Sequence, residues 1–267
     1  MTKPVCAYCK LPNALTREHL WPASLHSRLS AANKQTSNSF WLARLQREIP
    51  SEPKIRDVCA HCNNVVLSEL DAYICQLFDS TLVHIPNRHE RVTFEHDYHL
   101  LKRWLLKLCF NSARVHNSRD LYALDVMLPY IMGESSTLGK SVQLFLQLSY
   151  PEEVPEEELS ANAPADCPVF FKPTMNRVGH IFFRVHGVGE KLLRAVHLRS
   201  FTFYLAFFKP SESCVVLNDF ADHFSHYTGA LLLRPSNPIV ETQCNGAGAW
   251  TLFKGSRSNQ LIFDDDI

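Results

Sequence analysis

Cys6-Ala-Tyr-Cys9, then Leu15-Thr-Arg-Glu18-His19-Leu-Trp-Pro22, then Cys59-Ala-His-Cys62-Asn63-Asn64: these three stretches decide how the front of the chain folds. A Cys-x-x-Cys turn brings two thiolates to one ion, and a second pair completes a tetrahedron with sulfurs at ~2.3 Å. Such a site is closed and leaves no open position for chemistry. The 49 residues separating Cys9 from Cys59 exceed the spacing of a simple zinc ribbon. The expected structural Zn2+ on Cys6, Cys9, Cys59 and Cys62 would therefore pin the two ends of one module and contribute to its folding. Cys75, Cys109, Cys167, Cys214 and Cys244 are scattered and read as small buried apolar side chains.

Glu18-His19 lies between the two cysteine pairs, Pro22 follows three residues later, and Asn63 comes directly after the last cysteine. This order resembles the HNH (ββα-metal) endonuclease superfamily, in particular its four-cysteine members of the endonuclease VII type. The resemblance spans about residues 5–75 and uses some eight positions in fixed order. It implies that His19 is a general base on the first strand of a β-hairpin. It also implies that Glu18 and Asn63 hold a catalytic Mg2+ or Mn2+, and that cleavage leaves 5′-phosphate and 3′-hydroxyl ends. Two departures stand out. The family often carries an Asn before the second cysteine pair, to orient the base, whereas this chain has Lys54-Ile-Arg56-Asp57-Val58; the acid is Glu and not Asp. His61, inside the second pair, reads as a solvent-facing turn residue.

Those residue types suit phosphodiester hydrolysis. A neutral imidazole, with an ordinary pKa of ~6.5, takes a proton from water near neutral pH. A hard cation on oxygen ligands offsets charge on the leaving oxygen. A zinc-binding module that contacts nucleic acid or protein without catalysis is the alternative, and a ribonuclease a further one. A bare zinc module has no need of Glu18, His19 and Asn63 together.

A chain of 267 residues exceeds one typical domain, and its 46% hydrophobic residues with 17 Phe suffice for real cores. No apolar run is long enough for a membrane span, and residues 1–15 do not read as a signal peptide, which places the protein in the cytoplasm. The net charge of zero hides an asymmetry: residues 1–120 carry 16 Lys and Arg against 11 Asp and Glu, and the remainder the reverse balance. A polyanion such as DNA, or RNA, would be drawn to the front.

The expected fold class is α+β: a zinc-stabilised ββα module at 1–78, a helical extension at 79–134, and an antiparallel β-rich domain at 135–267. Apolar periodicity predicts helices at Val65–Leu77, Asp97–His116 and Ser118–Ile131. Short β-branched or aromatic runs predict strands at Val142–Ser149, Val169–Lys172, His180–Val185, Leu192–His197, Phe201–Lys209, Val215–Leu217 and Ala230–Arg234. Ala31–Ser39 reads as an exposed insertion, and Pro151–Glu158 as an acidic solvated loop. On the second helix Arg103, Lys107 and Arg114 fall within ~40° of one another, opposite the apolar stripe, and are expected to contact phosphates. Arg17 and Arg56, with Arg28, Arg44, Arg47 and Lys54, are expected to surround the active site. No base-reading motif is visible. The β-rich half is expected to bind a partner or restrain the nuclease, an arrangement that would suit an effector of bacterial antiphage defence.

Overall fold

The computed structural model describes residues 4–33, 40–42, 47–49, 52–139, 141–161, 169–185 and 188–262. Arg44, Cys167 and most of the expected 31–39 insertion lie outside them. The chain forms two units interleaved in sequence: Met1–Thr81 with His96–Val142, and Leu82–Glu95 with Gln143–Ile267.

In the first unit, β1 (Leu15–His19) leads through α1 (Ala23–Asn33), β2 (Phe40–Leu42) and β3 (Arg47–Ile49) to β4 (Lys54–Cys59). β1 and β4 pair antiparallel, with Leu15 opposite Cys59 and His19 opposite Lys54, and a register shift falls between Thr16 and Glu18. A π-helical turn, Cys62–Val66, then runs into α2 (Leu67–Leu77), which buries Leu67, Leu70, Ile74 and Leu77. The next strand, β5 (Arg91–Glu95), belongs to the second unit.

The expected helix from Asp97 is α3 (Tyr98–His116). Asp97 caps it by accepting from the Leu100 N–H, and Asn117 closes it in the left-handed region at φ 53°. Leu101, Trp104, Leu105 and Leu108 fill its buried stripe. The single helix expected over Ser118–Ile131 is instead two, α4 (Leu121–Asp125) and α5 (Leu128–Ile131). Pro129 explains the break, because proline cannot donate back to the preceding turn yet is at ease in a first turn.

The second unit is built on a five-stranded sheet. Its strands are β6 (Val142–Leu148), β9 (Asn176–Val185), β10 (Gly189–Leu198), β11 (Phe201–Phe207) and β12 (Leu231–Leu233), in the order β12-β6-β11-β10-β9. β7 (Glu152–Glu153) pairs with β8 (Phe170–Phe171), and β13 (Ile239–Gln243) pairs with β5. Two expectations fail here. Val215–Leu217 is not a strand but the start of α7 (Cys214–Thr228), capped by Ser213 at one end and by Gly229 at φ 70° at the other. Its Phe220 and Phe224 stack at 5.6 Å and pack on Phe145 and Phe183 of the sheet. The acidic stretch 151–158 is not a solvated loop: it supplies β7 and the start of α6 (Glu156–Ala161). Glu152 and Glu158 bond to Thr251, Trp250 and Lys254 on the last helix, α8 (Ala249–Ile262).

Candidate metal centre and active site

The four paired cysteines converge. The sulfurs of Cys6, Cys9, Cys59 and Cys62 lie within 4.8 Å of one another, and three of the four residues are buried. The separation fits four sulfurs around one ion at ~2.3 Å. Backbone N–H groups turn toward the sulfurs, Cys59 N to Cys6 Sγ at 3.3 Å and Cys62 N to Cys59 Sγ at 3.5 Å. Burial acts to raise the Cys6 thiol, but N–H groups of Cys59, Cys9 and Tyr8 outweigh it and hold the thiol at about 7. Burial and the neighbouring thiols push Cys62 far up. Four sulfurs this close could hold one cation, and the donor set suits a structural ion such as zinc.

The β1–β4 pair, pinned at its Cys59 end by this cluster, presents Glu18 and His19 on opposite faces, as successive strand residues must be. His19 is 30% exposed in its side chain, and its Nδ1 lies 2.6 Å from Glu52 Oε2. Glu52 Oε1 in turn accepts the Trp21 N–H at 2.7 Å. Both carboxylate oxygens are thus engaged. A carboxylate at Nδ1 fixes the tautomer that carries hydrogen there and leaves Nε2 as the acceptor. Glu52 was not singled out from the sequence, since nothing local in Glu52-Pro53 ties it to a residue 33 positions earlier.

Glu18 faces inward and is 5% exposed. Its Oε1 lies 3.0 Å from Lys107 Nζ and accepts from Asn111 Nδ2 at 3.3 Å. Lys107 also donates to both oxygens of Asp71 at 2.7 Å, and burial outweighs Lys107 in raising the Asp71 carboxyl. Asn63 donates through Nδ2 to Thr16 Oγ1 at 3.0 Å and to the Arg17 carbonyl at 3.1 Å, which clamps the start of the α2 segment onto β1.

The solvated basic face expected on α3 is corrected by these contacts. Lys107 is 2% exposed and neutralised within the unit. Arg114, almost as buried, pairs with Asp57, donates to Asn111 Oδ1, and lies over the rings of Tyr8 and Phe110. Arg103 donates to the Ile131 carbonyl at 3.0 Å and closes the end of α5. Lys107, Asn111 and Arg114 form an internal polar seam: helical spacing identified one face but could not say what covers it. Asn111 is its hub, accepting from the Tyr8 hydroxyl at 2.6 Å and donating to the His19 carbonyl at 3.1 Å. The exposed cations lie elsewhere. Arg17, Lys54 and Arg56 are solvent-facing on the strand pair that carries His19, and Arg56 also donates to the Leu15 carbonyl. Arg28 is paired with Asp79. His61 is exposed, as expected of a turn residue.

The chain matches no protein-family model, no curated protein and no solved structure.

Proposed function

We propose that the chain is an HNH-type endonuclease that hydrolyses nucleic-acid phosphodiesters, DNA in the first instance, with His19 as general base. The observation that carries this reading is the Glu52–His19 pair. A partly exposed imidazole is held by a carboxylate, at the end of a two-stranded unit followed by a helix and flanked by four converging cysteines. In this reading Nε2 of His19 takes a proton from water and the resulting hydroxide attacks phosphorus. The bond to the 3′ oxygen breaks, and that oxygen takes a proton from solvent. Glu52 stabilises the imidazolium that forms. Arg17, Lys54 and Arg56 supply a positive lip for the phosphate chain.

The Mg2+ or Mn2+ expected on Glu18 and Asn63 does not fit the donor set as it stands. Glu18 is buried and ion-paired with Lys107, so an ion there would have to displace an ammonium. That same burial favours a second reading, a zinc-closed module that binds nucleic acid without cutting it. Incubation of the full chain with supercoiled plasmid, linear DNA and RNA, each with magnesium, manganese or chelator, separates the two. Cleavage that Glu52→Gln slows at least about tenfold supports the nuclease. Binding without cleavage under every condition supports the second reading.

A further inference from the structure

Both polar atoms of the Asn111 side chain are engaged, and they join the cysteine cluster to the strand that carries His19. The residue is 1% exposed on α3. Its Oδ1 accepts from the Tyr8 hydroxyl at 2.6 Å and from the Arg114 guanidinium. Its Nδ2 donates to the His19 carbonyl at 3.1 Å and to Glu18 Oε1 at 3.3 Å. An amide so placed cannot turn without stranding buried donors and acceptors, so it acts as a fixed point.

Tyr8 lies inside the first cysteine turn, between Cys6 and Cys9. Its buried ring stands edge-on to Phe110 at 5.2 Å and under the Arg114 guanidinium. The turn is tied to β4 by the Ala7 N–H, which donates to the Asp57 carbonyl at 2.8 Å, and by the Cys59 N–H on Cys6 Sγ. Cys6 and Cys9 on one ion would fix this turn, and with it the direction of the Tyr8 hydroxyl. At the other end of the chain of bonds, His19 closes β1. Its carbonyl is held by Asn111 while its ring stands against Glu52. The next two N–H groups are also taken, Leu20 by the Pro53 carbonyl at 3.0 Å and Trp21 by Glu52. Glu52 therefore orients the ring, and Asn111 holds the backbone from which the ring hangs. The division matters because a misplacement of ~1 Å can cost about 10²-fold in rate.

We propose that Asn111 is a positioning residue for His19, and that Tyr8 makes that position depend on the ion held by the four cysteines. The role rests on the nuclease reading, in which His19 is the base, and adds a means of regulating it. A cysteine site closed to chemistry still acts on the base through two hydrogen bonds. Loss of its ion frees the Tyr8 turn, removes one anchor of Asn111 and slackens the His19 backbone.

The zinc-loaded full chain is prepared with isotope-labelled histidine, and the His19 ring resonances are assigned by comparison with His19→Ala. Tyr8→Phe removes one hydroxyl, and Asn111→Leu replaces the amide with an apolar side chain of similar size. Both should move the His19 resonances at unchanged zinc content. On whichever of plasmid and RNA the wild type cuts, both should lower kcat and leave KM unchanged, Asn111→Leu by roughly 10–100-fold and Tyr8→Phe by less. The double variant should be no slower than Asn111→Leu alone, because the two residues act in series. Exchange of zinc for cadmium, a larger ion for the same thiolates, should shift the His19 resonances in the wild type and leave them in place in Tyr8→Phe. If Asn111→Leu does not fold, Tyr8→Phe and the cadmium exchange carry the test. The proposal is overturned if neither moves the His19 resonances, or if the losses in the double variant multiply. The resonances need no substrate. If they move as stated while the wild type cuts nothing, the coupling stands and the nuclease reading falls. If the wild type cuts and the variants change neither resonances nor kcat, the coupling falls and the nuclease reading stands.

Discussion

Lys107, itself buried, holds the buried Glu18 and the partly exposed Asp71 together, and this arrangement has an energetic consequence. A buried ion pair adds little to stability when compared with a well-packed apolar substitute, but removing one partner strands the rest. Lys107→Met would leave the buried Glu18 carboxyl and the partly buried Asp71 carboxyl, already raised by burial, side by side without a cation. We expect a loss of about 3–5 kcal/mol in chemical denaturation, with Glu18→Gln and Asp71→Asn each restoring part of it in the double variants. Equal stability of Lys107→Met and wild type would mean that the cluster is not closed to water. The same residues explain why the expected ligand Glu18 and the expected base His19 differ in character although adjacent. One side chain enters the charged interior, and the other stands at the surface against Glu52.

At the scale of elements, α3 is the axis of the first unit, and it buries a second lysine. Lys102 is 3% exposed, lies under the rings of Tyr98 and Tyr130, and is pulled down to about 8 by burial. Its folded value lies below the unfolded ~10.4. Between these values the unfolded chain binds more protons than the native one, so stability from this group rises as pH goes from about 8 toward 10. The gain is on the order of 3 kcal/mol, and Lys102→Met should abolish that rise and be the more stable protein at pH 7. The cysteine cluster should act on the same unit. Cys59→Ser with Cys62→Ser should lose one bound metal per chain and much of the unit's stability. In the wild type, metal should be released as pH falls and the thiolates regain protons. Much of this was legible in the sequence. The paired cysteines, the α3 stripe, and six of the seven β-rich runs are local patterns with a definite period or turn chemistry. What was not legible depends on cover. Lys107 and Arg114 sit at the spacing of a solvated face, and only tertiary packing makes it an interior one. The β-branched Val215-Val216 pair reads as a strand in a short window, whereas the Ser213 cap, the Gly229 stop and the buried Leu217, Phe220 and Phe224 make it the start of α7.

The whole molecule is not divided where its sequence changes character. β5, drawn from the front half, pairs along its length with β13, from Ile239 opposite Glu95 to Gln243 opposite Arg91. Phe94, fully buried, lies against Phe201 and Phe203 at about 6 Å. A fragment ending at residue 142 would keep β5 but lose its partner strand and the cover over Phe94, leaving an unpaired edge beside an exposed aromatic. We expect it to aggregate in size-exclusion chromatography, so the division of labour between the units has to be tested in the full chain. The central claim, that His19 is the base of a nucleic-acid hydrolase, is tested most directly by comparing plasmid and RNA cleavage by wild type and His19→Ala at equal zinc content and equal Tm. A loss of ~10²–10⁴ in rate is expected. Cleavage at the wild-type rate by a folded, zinc-loaded His19→Ala would contradict the account.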